Sequence, residues 1–344
     1  MSQLCFASDN AAATHPQILD AIHAANGGYA IAYGDDPHTK AARARFKEHF
    51  GDRCEVFFLF NGTGANTIGL AALTDSFDAV ICASSAHIWE DECAAPEHFF
   101  GGKLLPVAHD LGRISPASVA PLLGPTRGVH HARPRVIAIT QPTEFGVVYR
   151  PQEIQALADL AHENGLALQM DGARIANAAA FLQVPLSAIT TEVGVDVLSF
   201  GGTKNGLLGG EALVIFNPDL VERTEYLRKQ ATQLASKMRF ISCQFERLLH
   251  DDLWLANASH ANAMAKRLEN GIASISEITL TAPVEINALF PKLPRSRLKA
   301  IQECGDFYMW SEAEDIARWM TSFQTTPEEV DEFLARITDV CSKL

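Results

Sequence analysis

Seven short, mainly apolar segments lie in the first two thirds of this chain. The most continuous of them, CEVFFLF, is typical of a strand that is buried on both faces of a sheet, and the other six are further strand candidates. Helical patterns separate several of them, and the segment at 151–165 begins with proline and ends at Asn-Gly. The alternation predicts a mostly parallel, seven-stranded sheet covered by helices on both faces. The segments are CEVFFLF (54–60), DAVICA (78–83), KLLPVA (103–108), RVIAIT (135–140), LALQM (166–170), VDVLSF (195–200) and EALVIF (211–216).

The last third of the chain predicts a second, smaller unit. A long helical pattern covers 218–250, and a further helix near 256–270 is expected to open this unit. Short strands follow, and a final helix is expected from Pro327. We therefore predict an N-terminal arm and helix (1–50), a large domain (51–250) and a small C-terminal α/β domain (251–344), since a chain of this length exceeds a single core. The predicted short strands are SEITL, EINALF, DFYMW and IARWMTSF.

Composition excludes several classes of protein. A formal net charge of −13 disfavours nucleic acid and anionic membrane surfaces as partners. No apolar run has the length of a membrane span. Seven cysteines without a C-x-x-C pair, together with a start that does not resemble a signal peptide, predict a cytoplasmic protein.

Two polar residues lie just beyond predicted buried strands. Asp171 lies in MDGAR (170–174), and Lys204 lies in the glycine-flanked GGTKNG (201–206). An amine on a strand-edge loop can form a Schiff base, and a buried carboxylate can face a pyridinium nitrogen. Glycines let the backbone approach a flat cofactor closely. The pair indicates a pyridoxal-phosphate site, although either residue alone is more typical of a loop or a helix cap.

A third strand end carries NGTGAN (61–66), where an apolar helix begins. Exposed N–H groups at a helix start favour a phosphate. The segment lacks the lysine of a Walker loop and does not match a Rossmann fingerprint. By itself it is equally consistent with a tight turn, but beside Lys204 and Asp171 it supports the same cofactor. A nucleotide-binding domain and a non-catalytic pyridoxal-phosphate carrier are the alternatives from other classes.

Three further residues are candidates for the site. His87 follows the strand DAVICA and can stack on a cofactor ring. Arg174 can reach the cofactor, and Arg318 can hold a substrate carboxylate through two hydrogen bonds. Each, taken alone, is more often a surface or capping residue. The histidines show no metal-binding spacing, so no metal is expected, and His130–His131 is interpreted as a solvated loop.

Taken together, these residues resemble the pyridoxal-phosphate-dependent L-threonine aldolases of the β-eliminating-lyase group, in particular the bacterial low-specificity subgroup. The resemblance covers nearly the whole chain, and its segments are specific only in combination. It implies an aspartate-aminotransferase type fold (fold type I) and a dimer or tetramer with sites at the interface. The segments are YGDD, FNGTGAN, DEC-A-PE, RPRVIAITQ-TE-G-VYRP, MDGAR, FGGTKNG and QLASKMRF.

The resemblance also implies roles for individual residues. Lys204 would bind the cofactor covalently, Asp171 would pair with the pyridine nitrogen, and His87 would stack on the ring. The resemblance further implies that Gly62 and Thr63 bind the phosphate, that Arg174 contacts the cofactor, and that Ser8 and Arg318 bind the substrate carboxylate. Tyr33 and Glu92 would line the substrate side of the site, and Arg239 would contact the cofactor phosphate of a neighbouring subunit.

One position departs from the family pattern. Many members have a histidine after the strand that corresponds to RVIAIT, whereas this chain has Glu144. The handling of the substrate hydroxyl is therefore open, with His87, Glu92 and Glu144 as candidate bases, directly or through a water. The implied reaction is retro-aldol cleavage of threonine or allo-threonine to glycine and an aldehyde. Aryl (phenylserine-type) substrates, β-elimination, transamination and racemisation are the alternatives.

Overall fold

The computed structural model describes residues 4–124 and 128–342. All seven strands predicted from the apolar segments form one sheet, in the order β1-β7-β6-β5-β4-β2-β3. Strand β7 runs antiparallel to both of its neighbours, and the other adjacent pairs are parallel. The strands are β1 (Glu55–Leu59), β2 (Asp78–Ala83), β3 (Lys103–Val107), β4 (Arg133–Thr140), β5 (Ala167–Gly172), β6 (Val197–Gly201) and β7 (Glu211–Ile215).

Helices cover both faces of this sheet, as the alternating pattern predicts. The helices of the described residues are α1 (Pro16–Ala25), α2 (Pro37–Phe50), α3 (Gly62–Leu73), α4 (His87–Glu90), α5 (Ala95–Phe100), α6 (Pro116–Val119), α7 (Pro151–Glu163), α8 (Ile175–Leu182), α9 (Val221–Gln230), α10 (Arg239–Leu249), α11 (Leu253–Ile272), α12 (Leu298–Gln302) and α13 (Pro327–Ser342). The last two, α12 and α13, pack in the C-terminal part instead of on this sheet. Among the described residues, no helix is long and apolar enough to cross a membrane.

Alternate residues of β1 show how the sheet is anchored. Phe57 points to the face covered by α3, where it packs in a cluster with Ile68. Phe58 points to the other face and contacts Phe46 of α2 and Phe245 of α10, with ring centroids 5.9 and 5.3 Å apart. Burying an aromatic side chain of this size contributes about 1.5–3 kcal/mol. Because β2, β3, β4, β5 and β6 are parallel, their carboxyl ends all lie at one edge of this sheet.

The C-terminal part forms a second sheet with its own apolar cluster. Its strands are β8 (Thr279–Leu280), β9 (Ala288–Leu289), β10 (Pro291–Lys292), β11 (Tyr308–Ser311) and β12 (Ile316–Met320). They lie within or beside the predicted short strands, and α13 begins at Pro327 as expected. Together with the large sheet, this confirms the predicted fold class.

The N-terminal segment belongs to the packing of this second sheet. Leu4 and Phe6 lie in its apolar cluster, and Phe6 accepts a hydrogen bond from Met320 N and donates one to Asp306 O, both 2.8 Å. The predicted "arm and helix" over 1–50 therefore contains more structure than expected, including the additional helix α1. The domain boundaries at 50/51 and 250/251 remain a prediction.

One helix prediction was wrong. The pattern over 218–250 is two helices, α9 and α10, separated by residues 231–238. Thr232 adopts a left-handed conformation (φ 61°) that ends α9. The break allows the Gln233 side chain to accept a hydrogen bond from Phe60 N (2.9 Å). Arg239 consequently begins α10 instead of following a long helix.

Candidate active site

Lys204 lies just beyond β6, in a single 3-10 turn at Thr203–Asn205. The preceding glycines are required sterically, because a Cβ on Gly201 would lie 2.2 Å from Ala173 O and one on Gly202 would lie 2.4 Å from Leu207 Cδ1. The Lys204 side chain is half-buried. The nearby Arg174 charge, followed by burial, lowers the pKa of Lys204. A lowered pKa increases the neutral fraction of the amine, which is the nucleophilic form.

Asp171 lies at the carboxyl end of β5, opposite Ser199 of the adjacent β6. Its carboxylate accepts hydrogen bonds from Asn66 Nδ2 (2.8 Å) and Ala173 N (2.9 Å). The side chain is buried, and these donors hold it in one orientation. Ser199 Oγ is also buried and has no hydrogen-bond partner within the described residues.

The segment NGTGAN closes the end of β1 and begins α3. Asn61 caps the helix by accepting a hydrogen bond from Gly64 N (2.8 Å). The following turn presents Gly62 and Thr63 toward a cavity. A twelve-residue helix that starts at this point directs free N–H groups and a partial positive charge into the cavity.

A buried network joins His87 to Asp171. Asn66 Nδ2 donates to both Asp171 and Glu92 Oε1 (3.0 Å), so one amide bridges two carboxylates. His87 Nδ1 lies 3.5 Å from the same Glu92 oxygen. Contact with Glu92 raises the pKa of His87, against the opposing effect of burial and with a further contribution from Asp171.

Glu144 contacts the His87 segment from the end of β4. Its Oε1 accepts hydrogen bonds from His87 N (2.9 Å) and from Thr140 Oγ1 (2.7 Å). Its Oε2 is buried and has no partner in the described part of the chain. Burial raises the pKa of Glu144 to about 6. This carboxyl therefore changes charge close to neutral pH.

Arg174 is held by a buried ion pair with the N-terminal segment. Its Nε and Nη2 donate to the two carboxylate oxygens of Asp9, at 2.6 and 2.9 Å. Asn287 Nδ2 donates to Asp9 as well (3.1 Å). Burial raises the pKa of Asp9, but Arg174, Lys204 and Asn287 outweigh that effect, and the pKa lies below its ordinary value. The guanidinium that was expected to contact the cofactor is thus oriented by Asp9.

Arg318 extends from β12 beside the segment that carries His87. It lines a cavity of about 520 Å³ together with Ser85 and Asp91. Its guanidinium lies over the Tyr308 ring, 5.6 Å from the centroid, and its Nη2 donates to Ala7 O (3.3 Å). Within the described residues its buried Nε has no partner. Burial and the charge of Arg174 lower the pKa of Arg318.

Three further candidates do not line the cavity that contains Lys204. Ser8 accepts a hydrogen bond from Asn10 N (3.2 Å) and lines a separate cavity of about 190 Å³. Tyr33 is 52% exposed, with Lys229 Nζ over its ring. Arg239 donates to the carbonyls of Gly27 and Gly28.

Five of the candidates line one cavity of about 300 Å³ at the carboxyl edge of the large sheet, whereas Arg318 lines the neighbouring cavity described above. The five are Lys204, Asp171, His87, Gly62 and Thr63. Sequence reasoning assigned no role to several polar residues that line the Lys204 cavity as well. Asn66 lies at the end of the NGTGAN segment, whereas Ser199 and Glu211 belong to no motif.

These groups fit pyridoxal phosphate. The cavity offers a half-buried amine with a lowered pKa, a buried carboxylate, a helix start for a phosphate, and a Ser199 hydroxyl that has no partner in the described chain. Within residues 4–124 and 128–342, no group of three or more His, Cys, Asp or Glu side chains is arranged to hold a metal.

Comparisons with known proteins agree with this site. A family model described as "Beta-eliminating lyase" matches residues 6–294. The low specificity L-threonine aldolase of Pseudomonas aeruginosa is 45% identical over 332 residues, which cover 96% of each chain. A threonine aldolase structure from Leishmania major has a TM-score of 0.93 at 30% identity and covers 98% of this chain and 99% of that one.

The fold itself is shared more widely. An aspartate aminotransferase from Thermus thermophilus covers 98% of this chain and is itself covered to 91%, with a TM-score of 0.71 at 16% identity. The architecture and the lysine-bearing cavity therefore define an enzyme of the aspartate-aminotransferase fold type. The chain belongs to the β-eliminating lyase family.

Proposed function

We propose that this enzyme is a pyridoxal-phosphate-dependent aldehyde lyase, which cleaves L-threonine, L-allo-threonine and related β-hydroxy-α-amino acids to glycine and an aldehyde. The observation that carries the proposal is the single cavity lined by Lys204, Asp171, His87 and the first turn of α3. The substrate class is supported by the low specificity L-threonine aldolase of Pseudomonas aeruginosa at 45% identity.

Different residues of this chain would hold different parts of the cofactor. Lys204 supplies the amine for covalent attachment, and its lowered pKa favours the neutral form. Asp171 would pair with the pyridine nitrogen, while Gly62 and Thr63 at the start of α3 would hold the phosphate. His87 would contact the ring. When bound, pyridoxal phosphate supplies the electron sink for the pair released as Cα–Cβ breaks.

Residues on the other side of the site would orient the substrate. Arg318 has a buried Nε without a partner in the described chain, and it binds the α-carboxylate together with Ser8. Arg174, oriented by Asp9, contacts the cofactor. Holding the carboxylate and the amine together fixes which bond at Cα is aligned for cleavage.

The β-hydroxyl must lose its proton as the bond breaks. His87 has a pKa raised by Glu92, so its imidazole is more often protonated than a free one. Glu144 becomes anionic above a pH of about 6. We propose that a water takes the proton, assisted by His87, Glu92 or Glu144. A water can follow the hydroxyl of either diastereomer, which accounts for cleavage of both threonine and allo-threonine.

Two residues are proposed to act across a subunit interface. Tyr33 and Arg239 lie outside the cavity of their own chain, and both are accessible enough to reach a second copy. In a homodimer or homotetramer, Tyr33 would lie on the substrate side of the neighbouring subunit's site, and Arg239 would contact the cofactor phosphate of that subunit. All seven cysteines are free, which supports a reducing, cytoplasmic location.

Product analysis tests the reaction. The purified protein incubated with threonine should release glycine and acetaldehyde, whereas β-elimination would release a keto acid and ammonia. Lys204→Ala should remain folded while losing turnover and the chromophore that borohydride reduces. Keto acid as the main product, or normal colour and rate in Lys204→Ala, would overturn the proposal. Parallel rates with phenylserine distinguish an aryl-preferring enzyme.

A further inference from the structure

A second buried acid contacts the lysine-bearing loop. Glu211 is the first residue of β7 and lies opposite Gly201, the last residue of β6. Because β7 runs antiparallel to β6, its amino end reaches the same edge of the sheet as the carboxyl ends of the parallel strands. The side chain is 8% exposed and lines the same cavity as Lys204.

The Glu211 carboxylate holds the backbone immediately before the lysine. Its Oε2 accepts a hydrogen bond from Gly202 N (2.9 Å), and its Oε1 accepts a longer one from Thr203 N (3.4 Å). Thr203 Oγ1 adds a second connection between the loop and the start of β7, through the backbone of Gly210. The two residues that precede Lys204 are therefore held by one carboxylate.

Charge connects Glu211 to Lys204 as well. The Arg174 charge and burial lower the pKa of Lys204, while the acids around it raise that pKa. Burial raises the pKa of Glu211 to about 7, against the opposing effects of the loop N–H groups and Lys204. The charged or titratable groups that face Lys204 are Arg174, Asp9, Asp171, Glu211 and His87.

We propose that Glu211 is a positioning residue for Lys204: its carboxylate fixes the loop through Gly202 and Thr203, and its negative charge beside the amine favours the charged form of Lys204. The inference rests on the proposed function, because the neutral amine matters if Lys204 attaches to pyridoxal phosphate. Glu211 itself does not react; it acts through Lys204.

The test measures cofactor capture instead of turnover. Apo-enzyme is mixed with pyridoxal phosphate, and the rate of chromophore formation is followed across pH for wild type, Glu211→Gln and Glu163→Gln. Glu163 is exposed on α7, so its variant controls for the loss of one negative charge. Removing the Glu211 charge removes an influence that raises the Lys204 pKa, so the midpoint of capture should move to lower pH. Each pH unit of movement means about tenfold more neutral amine below the midpoint.

The outcomes are distinct. A midpoint shift in Glu211→Gln with none in Glu163→Gln supports the proposal. A lower plateau with an unmoved midpoint indicates a merely structural role and overturns it, as does a profile identical to wild type. Wild-type protein that captures no pyridoxal phosphate refutes the proposed function instead, whatever Glu211 does.

A second measurement needs no variant and applies even if Glu211→Gln fails to fold. Hydrogen exchange of the peptide that covers 202–206 is followed in wild-type apo-enzyme between pH 6 and 8, on either side of the Glu211 pKa of about 7. An ionised carboxylate binds the two N–H groups more strongly than a protonated one. For local opening that breaks these two hydrogen bonds and leaves Glu211 buried, protection, corrected for the intrinsic pH dependence of exchange, should therefore increase as pH rises, because the loop N–H groups lower the Glu211 pKa. Protection that does not change with pH overturns the proposal.

Discussion

The ion pair between Asp9 and Arg174 connects the N-terminal segment to the loop that follows Asp171. We expect Asp9→Asn to leave the shape of the site intact while removing the partner of a buried guanidinium. Removing one partner of a buried pair commonly costs about 3–5 kcal/mol. The Arg174 side chain is 20% exposed and that of Asp9 is 1% exposed. Water thus reaches one side of the pair, and we expect a loss near the lower limit, about 3 kcal/mol in the free energy of unfolding.

The assay is urea denaturation of the apo-enzyme at pH 7 for wild type, Asp9→Asn, Arg174→Met and the double variant. The double variant removes both charges, so its loss should be smaller than the sum of the single losses. Asp331→Asn is the matched control, because Arg267 also contacts Asp331 through two hydrogen bonds of 2.7 Å, but at the surface. That variant should be indistinguishable from wild type.

The pH dependence of the same experiment has a defined sign. The folded-state pKa of Asp9 lies below its ordinary value of 3.8. The stabilisation is therefore complete above that ordinary value and is lost as pH falls through the folded pKa. The difference in the free energy of unfolding between wild type and Asp9→Asn should therefore disappear at acidic pH. A loss under about 1 kcal/mol at pH 7, or strictly additive single losses, would refute this account of the pair.

Three further predictions concern the site. Asn66→Ala leaves two buried carboxylates without their shared donor, so apo-enzyme stability should fall by about 1–3 kcal/mol and cofactor affinity should weaken; an unchanged dissociation constant would show that Asp171 needs no such support. Arg318→Ala should weaken substrate binding by about 2–5 kcal/mol, measured as KM, with near-normal cofactor retention; equal loss of both would indicate a structural role. Glu144→Gln should change the ratio of threonine to allo-threonine cleavage more than the summed rate, most clearly above pH 6, where the wild-type side chain is charged; abolition of both activities alike would contradict this.

The sequence predicted the large sheet well because burial on both faces leaves a direct trace. Each of its strands is a short, mainly apolar segment, and at the ends of β1, β5 and β6 the polar residues Asn61, Asp171 and Lys204 mark the edge where the candidate site lies. The break between α9 and α10 left no comparable signal in the sequence. Residues 231–238 contain neither proline nor glycine, and Thr232 adopts its left-handed conformation where Gln233 accepts a hydrogen bond from Phe60 N at the end of β1.

The residues that sequence reasoning missed share one cause. Asn66 and Glu211 reach the cavity through tertiary arrangement: one from the second turn of α3, the other from the start of an antiparallel strand. A run of apolar residues does not reveal which strand reverses direction. Glu211 appears in sequence as the first residue of a strand, and only its register opposite Gly201 brings it beneath the lysine loop.

The contact between Gly201 and Ala173 has a consequence for motion in the site. The Cβ that Gly201 lacks would lie 2.2 Å from Ala173 O, so the main chains leading from Asp171 and toward Lys204 touch directly. The spacing of the Asp171 and Lys204 main chains is consequently set by two backbones in contact, and side-chain rotation does not alter it. Arg318, in contrast, lies on the second sheet and donates to Ala7 of the N-terminal segment, which itself pairs with that sheet. The position of Arg318 relative to Lys204 therefore depends on how the second sheet and the N-terminal segment pack, and the position of Asp171 relative to Lys204 does not.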